Sequence, residues 1–208
     1  MVIDTVAPNV MRVPVGPTQT NCYIVTDERS KKAIIIDPGS EGQSIRAVLD
    51  KNRLEPVCIV NTHGHADHIG ANAFLGFPVM IHPRDADFLT DPDKNLSGSF
   101  GFPIRSQPAS RLLEDGESVV FGSSKVDVVY TPGHTPGSIS LLFGGVVFTG
   151  DALFAGGIGR TDLPYGDEKA LLHSIRTRLL TMDGSSVVLP GHGPGSTIRD
   201  EKTGNPFL

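Results

Sequence analysis

Three observations predict an α/β fold for this 208-residue chain. Short apolar strands recur along its length, stretches of helical periodicity separate some of them, and four of the strands run into turns that carry a histidine or an aspartate. A chain of this size covers one hydrophobic core well and is short for two, so one domain spanning residues 1–208 is expected.

The first part reads as strands at Met11–Val15, Asn21–Thr26 and Ala33–Asp37, separated by Gly16-Pro17 and by the charged turn Asp27–Lys32. Ser40, followed three residues on by Gln43, reads as a capping box. Behind it Ile45, Val48 and Leu49 recur at helical spacing as far as about Leu54. From there one pattern repeats. Val57–Val60 leads to His63, Val126–Tyr130 to His134, Val146–Phe148 to Asp151 and Val187–Leu189 to His192. Helices are expected at Asp67–Leu75, Arg84–Leu89 and Asp167–Leu180. In the last, Leu171, Ile175 and Leu179 form one face behind Asp167 as N-cap. Strands mixed with helices imply layers of sheet and helix. Loops at strand ends are where open α/β sheets place their chemistry. Asp91–Pro108, rich in Gly, Pro, Ser and Asn, reads as a long loop beside that site, either a lid or a crossover.

Composition narrows the function classes. With 38% hydrophobic and 20% charged residues the chain is of ordinary globular type. A net charge of −5 gives no broad basic field, which argues against a nucleic-acid partner. No stretch approaches the roughly 18 apolar residues of a membrane span. Met1–Val10 lacks the layout of a signal peptide, so no membrane partner and a cytoplasmic location are expected. Cys22 and Cys58 each lie in an apolar run without C-x-x-C spacing and read as buried structural thiols.

The segment Thr62-His63-Gly64-His65-Ala66-Asp67-His68 places three imidazoles and a carboxylate within six residues. His63 and His65 alternate along an extended stretch and project to one side, whereas Asp67 and His68, opening the next helix, reach toward a second point. That arrangement suits two adjacent metal sites better than one. The motif alone holds too few ligands for two ions, and its mixture of imidazole and carboxylate suits zinc, iron or manganese. His134, Asp151 and His192, each directly after a glycine, are available to complete the set. His82, before Pro83, reads as structural, and His173, inside a helix, as solvent-facing.

At these residues the chain resembles the metallo-β-lactamase superfamily over nearly its whole length. The resemblance implies a four-layer αββα sandwich of two mixed β-sheets. It implies that His63, His65 and His134 hold a first metal, that Asp67, His68 and His192 hold a second, and that Asp151 bridges them, with Asp67 and Asp151 counted as catalytic. Lactam-cleaving members commonly carry a cysteine where this chain has Asp151, so the resemblance points away from antibiotic hydrolysis and toward the glyoxalase II side. Asp151–Asp167, Pro190–Ser196 and Asn205-Pro-Phe-Leu208 are similar to the small single-domain glyoxalase II-like (hydroxyacylglutathione hydrolase-like) proteins. The resemblance ends short of the helical domain that helps full-length glyoxalase II hold glutathione, so no such domain is expected. Arg160 and Asp162 stand where those enzymes place a lysine and then a tyrosine. Arg160 remains able to clamp a carboxylate, and Tyr165 is a second candidate substrate contact.

The implied activity is hydrolysis of a small thioester, a glutathione-linked one among the candidates. Two divalent ions, zinc first and iron or manganese as alternatives, would share a water whose pKa falls toward about 7. The resulting metal-bridging hydroxide would attack a carbonyl polarised by the first ion. A thiolate leaving group, with a thiol pKa of about 8.5, needs little proton donation. The rival is a persulfide dioxygenase. Those enzymes resemble this chain in fold and in the stretch Gly159–Asp162, and their single iron would take His63, His134 and Asp151. A phosphodiesterase of the nuclease branch fits the acidic balance poorly.

Overall fold

In the computed structural model, which describes residues 3–208, the strands form two mixed sheets and a short ribbon. The first sheet runs in sequence order through β1 (Asp4–Ala7), β2 (Val10–Val15), β3 (Thr20–Thr26), β4 (Lys32–Ile36), β5 (Glu55–Val60), β6 (Val79–Ile81) and β7 (Arg111–Leu112). Its strands are antiparallel as far as β4 and parallel from there on. The second sheet contains β8 (Ser118–Phe121), β9 (Ser124–Tyr130), β10 (Ile139–Phe143) and β11 (Val146–Gly150). After the ribbon β12 (Leu153–Phe154) and β13 (Gly157–Ile158), it is completed by β14 (Val187–Pro190) and β15 (Ser196–Thr197). The strand order is β15-β14-β11-β10-β9-β8, with β11 and β14 parallel.

Alternation along the strands builds the layers. Tyr23, Val25, Ile34, Ile36, Cys58 and Val60 of the first sheet meet Val126, Val128, Ile139, Leu141, Val146 and Phe148 of the second. The rings of Tyr23 and Phe148 lie 5.0 Å apart there. The intervening residues Cys22, Ile24, Ala33, Ile35 and Ile59 face the other way, against Ile45, Val48 and Leu49 of α1 (Gly42–Asn52). On the outer face of the second sheet, Val147 and Val188 meet Leu171, Ile175, Leu179 and Ile198. The result is the four-layer αββα arrangement. Burying each such aliphatic or aromatic side chain contributes about 1.5–3 kcal/mol, and a one-residue slip would turn every one of them to the wrong face.

Several local expectations are corrected by tertiary contacts. Ser40 and Gln43 form no capping box. The N-cap of α1 is Glu41, with φ 52° and no side-chain cap. Its carboxylate accepts from Gly16 N instead. A Cβ on neighbouring Gly39 would lie 1.6 Å from Asp67 O, so this turn is shaped by its neighbour. The helix expected over Asp67–Leu75 is two short ones, α2 (Ala66–Ile69) and α3 (Asn72–Leu75). They part where a Cβ on Gly70 would lie 2.2 Å from Gly39 O and where Ala71 N donates to Pro38 O. The segment expected at Arg84–Leu89 is a 3-10 helix, Pro83–Leu89. Asp167 caps α4 (Glu168–Ser174) as expected, accepting from Ala170 N, but Ile175–Leu179 continues as a π-helix. The last helix is α5 (Ile198–Gly204).

Asp91–Pro108 is a crossover tied down from within. Buried Asn95 donates to Phe88 O and Ile104 O, and its own carbonyl accepts from Ala66 N. Cys22 and Cys58 are buried as expected, and burial pushes the Cys58 thiol up to about 12. No helix among the described residues is long and apolar enough to cross a membrane.

Candidate metal centre

Parallel pairing brings the strand ends together. Because β11 and β14 run side by side, Gly150-Asp151 and Gly191-His192 leave the second sheet at the same edge, with Gly191 N donating to Gly150 O at 2.8 Å. Asn21 N, at the start of β3, donates to Gly191 O, and Ile139 N donates to Thr62 O, so both sheets are stitched together at this edge. His63 to His68 follow β5, and His134 lies between β9 and β10.

All seven candidate ligands converge here. His63, His65 and His134 form one group, with His65 Nδ1 2.9 Å from His134 Nε2. Asp67, His68 and His192 form another. His192 Nε2 is 3.3 Å from both His68 Nε2 and Asp67 Oδ2, and His68 Nε2 is 3.9 Å from Asp67 Oδ2. Asp151 lies between the groups, Oδ1 3.4 Å from His68 Nε2 and Oδ2 3.6 Å from both His134 Nε2 and His192 Nε2. A tetrahedral ion with metal–nitrogen bonds of about 2.0–2.1 Å spaces its ligand atoms about 3.3–3.4 Å apart, a value within the range of these separations. His63 Nε2 and Asp151 Oδ1 are buried without a hydrogen-bond partner among the described residues. Orphaned polar atoms this deep are costly unless a cation satisfies them, so the donor set fits metal ions.

The rings are held by their other nitrogens. His68 Nδ1 donates to Asp37 Oδ2 at 3.0 Å, His134 Nδ1 to Arg160 O at 2.8 Å and His192 Nδ1 to Thr18 O at 3.1 Å. His63 Nδ1 donates to Thr62 Oγ1, whose own hydroxyl donates to Asp37 Oδ2. With Nδ1 so engaged, the Nε2 of each of these rings faces the cluster. Thr20 Oγ1 donates to Asp67 Oδ2 at 3.3 Å. Asp37, Thr62 and a third buried residue, Asp85, were missed in the sequence. Asp37 ends an apolar strand in the same way as the expected ligands, so its signal was present, whereas Asp85 has none.

The two groups differ electrically. Burial holds His63 well below the usual histidine value and takes His65 down to about 3, with neighbouring imidazoles adding to both shifts. Burial would lower His68 too, but Asp151, Asp67 and Asp37 outweigh it and raise the ring to about 10. His192 is raised as well, its burial outweighed by the hydrogen bond to Asp67 and by Asp151. Asp67, despite burial, is held well below the carboxylate range by His68 and His192. Without metal, protons therefore collect on the second group while the imidazoles of His63 and His65 stay neutral.

Of the donor histidines, His63, His65, His68 and His134 are buried, but the side chains of Asp67 and His192 are 34% and 26% exposed, so the centre opens to solvent on their side. Phe154 lies 6.3 Å from the His192 ring, and Phe88 lies 6.3 Å from His65. Tyr165, exposed and at φ 71°, rests against Phe88 with ring centroids 5.5 Å apart. The Arg160 guanidinium is not brought to the donors. It forms a bidentate pair with exposed Asp162, and what Arg160 gives the centre is its carbonyl. His82 is buried and stacked on Tyr130, and His173 is exposed.

Residues 15–192 match the family described as the metallo-beta-lactamase superfamily. The chain is 40% identical over 205 residues to a probable metallo-hydrolase, YqgX, of Bacillus subtilis (strain 168), covering 95% of this chain and 96% of that one. It is 36% identical over 208 residues to the hydroxyacylglutathione hydrolase GloC of Haemophilus influenzae, covering 96% and 98%. Among solved structures, the BLEG-1 B3 metallo-beta-lactamase superposes with a TM-score of 0.91 at 40% identity, covering 96% of this chain and 99% of that chain. TTHA1623 in a di-iron-bound form superposes with a TM-score of 0.84 at 39% identity, covering 95% and 99%.

Proposed function

The chain belongs to the metallo-beta-lactamase superfamily, and from that premise we propose that it is a metal-dependent hydrolase of small thioesters, of the hydroxyacylglutathione hydrolase type. The observation that carries this is the place of Asp151 between the two donor groups, its Oδ2 3.6 Å from both His134 Nε2 of the first and His192 Nε2 of the second, and its Oδ1 3.4 Å from His68 Nε2. His63, His65 and His134 would hold one divalent ion, Asp67, His68 and His192 a second, and Asp151 both. Zinc is the first expectation from the imidazole-rich set, and the iron of the TTHA1623 structure makes iron the alternative. Two such ions, when bound, supply a Lewis acid for a carbonyl oxygen and a water acidified to a pKa of about 7.

The chain's own residues prepare the rest. Asp37, Thr62, Thr18 and Arg160 fix ring orientation through hydrogen bonds to Nδ1 atoms, so the donor geometry does not reorganise during turnover. Thr20 and His192 hold Asp67 ionised and in place on the open side. The buried rings of His63, His65, His68 and His134 close the inner side to water, leaving the rim near Asp67, His192 and Phe154 as the entry for an acyl group. A thiolate, with a thiol pKa of about 8.5, departs without a dedicated acid, which suits this set of residues. Arg160 and Tyr165 remain candidate contacts for the thiol carrier, a glutathione-like thiol among the possibilities.

A mononuclear iron dioxygenase would use His63, His134 and Asp151. It would leave Asp67, His68 and His192 clustered without a task, which favours the hydrolase. One anaerobically purified sample, assayed for S-lactoylglutathione hydrolysis, persulfide-dependent oxygen uptake and cleavage of a chromogenic cephalosporin, tests the proposal. Thioester turnover dominating the other two supports it. Oxygen uptake or cephalosporin cleavage without thioester turnover overturns it.

A further inference from the structure

The 3-10 helix Pro83–Leu89 lies outside the ligand set, yet it carries a buried carboxylate that hydrolysis does not use. Asp85 is fully buried and accepts three hydrogen bonds. Oδ2 takes Gly64 N at 2.9 Å and Thr135 Oγ1 at 2.7 Å, and Oδ1 takes Gly137 N at 2.7 Å. Gly64 stands between His63 and His65, while Thr135 and Gly137 follow His134. These loops leave different sheets, joined by the bond from Ile139 N to Thr62 O, and Asp85 adds a second tie beside the gap across which His65 Nδ1 and His134 Nε2 stand 2.9 Å apart.

The surroundings give the carboxylate little room to shift. A Cβ on Gly137 would lie 2.5 Å from Asp85 Oδ1, and a Cβ on Gly64 would lie 2.3 Å from Phe88 Cβ on the same 3-10 helix. The start of that helix is fastened to the His134 loop. His82 accepts from Arg84 N and stacks on Tyr130 at 4.4 Å, and Tyr130 OH donates to Pro136 O at 2.7 Å. Burying a carboxylate costs several kcal/mol. Three well-formed donors offset that cost, and a fully satisfied buried network holds one geometry where an apolar contact would permit several.

We propose that Asp85 is a positioning residue that sets the separation between His63/His65 and His134, and hence the metal affinity of the first group, without touching metal or substrate. This rests on reading those three histidines as a metal site.

The test is a cobalt(II) titration followed by visible spectroscopy, together with amide hydrogen exchange of the metal-free protein, on wild type, Asp85→Asn and Asp27→Asn. Asp27 is the control, a buried carboxylate outside the ligand set that accepts from Ser30, Ser123 and Ser124. In Asp85→Asn one acceptor becomes an NH₂ group facing a donor. One of two cobalt equivalents is then expected to weaken by about 10- to 100-fold, with the other unchanged and exchange accelerated at Gly64 and Gly137. Asp27→Asn is expected to leave both equivalents unchanged. Thr135→Val, which removes a single donor, should give a smaller loss in the same direction and serves if Asp85→Asn does not fold. Wild-type affinity in the Asp85 and Thr135 variants, or equal losses in the Asp27 variant, overturns the proposal. A wild-type protein that binds no cobalt overturns the metal-site reading itself.

Discussion

His68 Nδ1 lies 3.0 Å from Asp37 Oδ2, with both side chains buried. The same carboxylate accepts from Thr62 N and Thr62 Oγ1, and Thr62 in turn accepts from His63 Nδ1. One residue thus orients a ring in each donor group. Asp37→Asn is expected to lower metal affinity by about 10- to 100-fold, measured by competition with a chromophoric chelator. Unchanged affinity would show that these rings are oriented by packing alone.

The protonation pattern predicts the pH response of the metal-free protein. His63 and His65 fold as neutral rings with lowered pKa values, so below the ordinary histidine value of about 6.5 the unfolded chain binds more protons and stability falls as pH drops. His68 is raised to about 10, so its contribution is fully present below about 6.5 and is lost as pH rises through 10. Stability of chelator-treated protein should therefore peak near pH 6.5, as urea unfolding across the pH range would show. Metal binding must expel the His68 proton, so affinity should rise with pH and loading near neutrality should release protons. A monotonic stability profile would contradict the assignment.

Gly159 explains part of the Gly-Arg-Thr-Asp stretch. A Cβ there would lie 1.8 Å from Asp151 O and 3.3 Å from His134 Nδ1. Gly159→Ala should cost about 1–3 kcal/mol in denaturant unfolding and reduce bound metal, because the strain falls on the backbone of Asp151. Gly204→Ala, where nothing lies within 4 Å, is the matched control and should leave bound metal unchanged.

Asn205 ties α5 to the ribbon that carries Phe154. Its Nδ2 donates to Gly157 O and to Glu201 Oε2, and Glu201 also accepts from Gly156 N. Asn205→Ala leaves the buried Glu201 carboxylate short of a donor, at an expected cost of about 1–3 kcal/mol. Faster amide exchange at Gly156 with unchanged metal content would bear this out. Lost metal would show that the ribbon supports the centre directly.

The candidate ligand positions were legible because each follows an apolar strand, β5 in the first sheet and β9, β11 and β14 in the second, and the ends of these strands meet where the two sheets are joined. Leu171, Ile175 and Leu179 likewise declared a helical face behind the Asp167 cap. Features made by distant contacts were not legible. The turn at Ser40 and the break at Gly70 depend on Gly39 meeting the Asp67–Gly70 backbone. Asp85 takes its meaning from partners 21, 50 and 52 residues away. Arg160 was read for its guanidinium, whereas the structure uses its carbonyl, a group every residue carries.

Metal content per chain, measured with thioester turnover on anaerobically purified wild type and Asp151→Ala, tests the central claim most directly. The two-group geometry predicts about two ions per wild-type chain with thioester cleavage, and loss of most metal and turnover when Asp151 is removed. A single iron with oxygen consumption, or an Asp151→Ala protein that keeps its full metal and turnover, would contradict it.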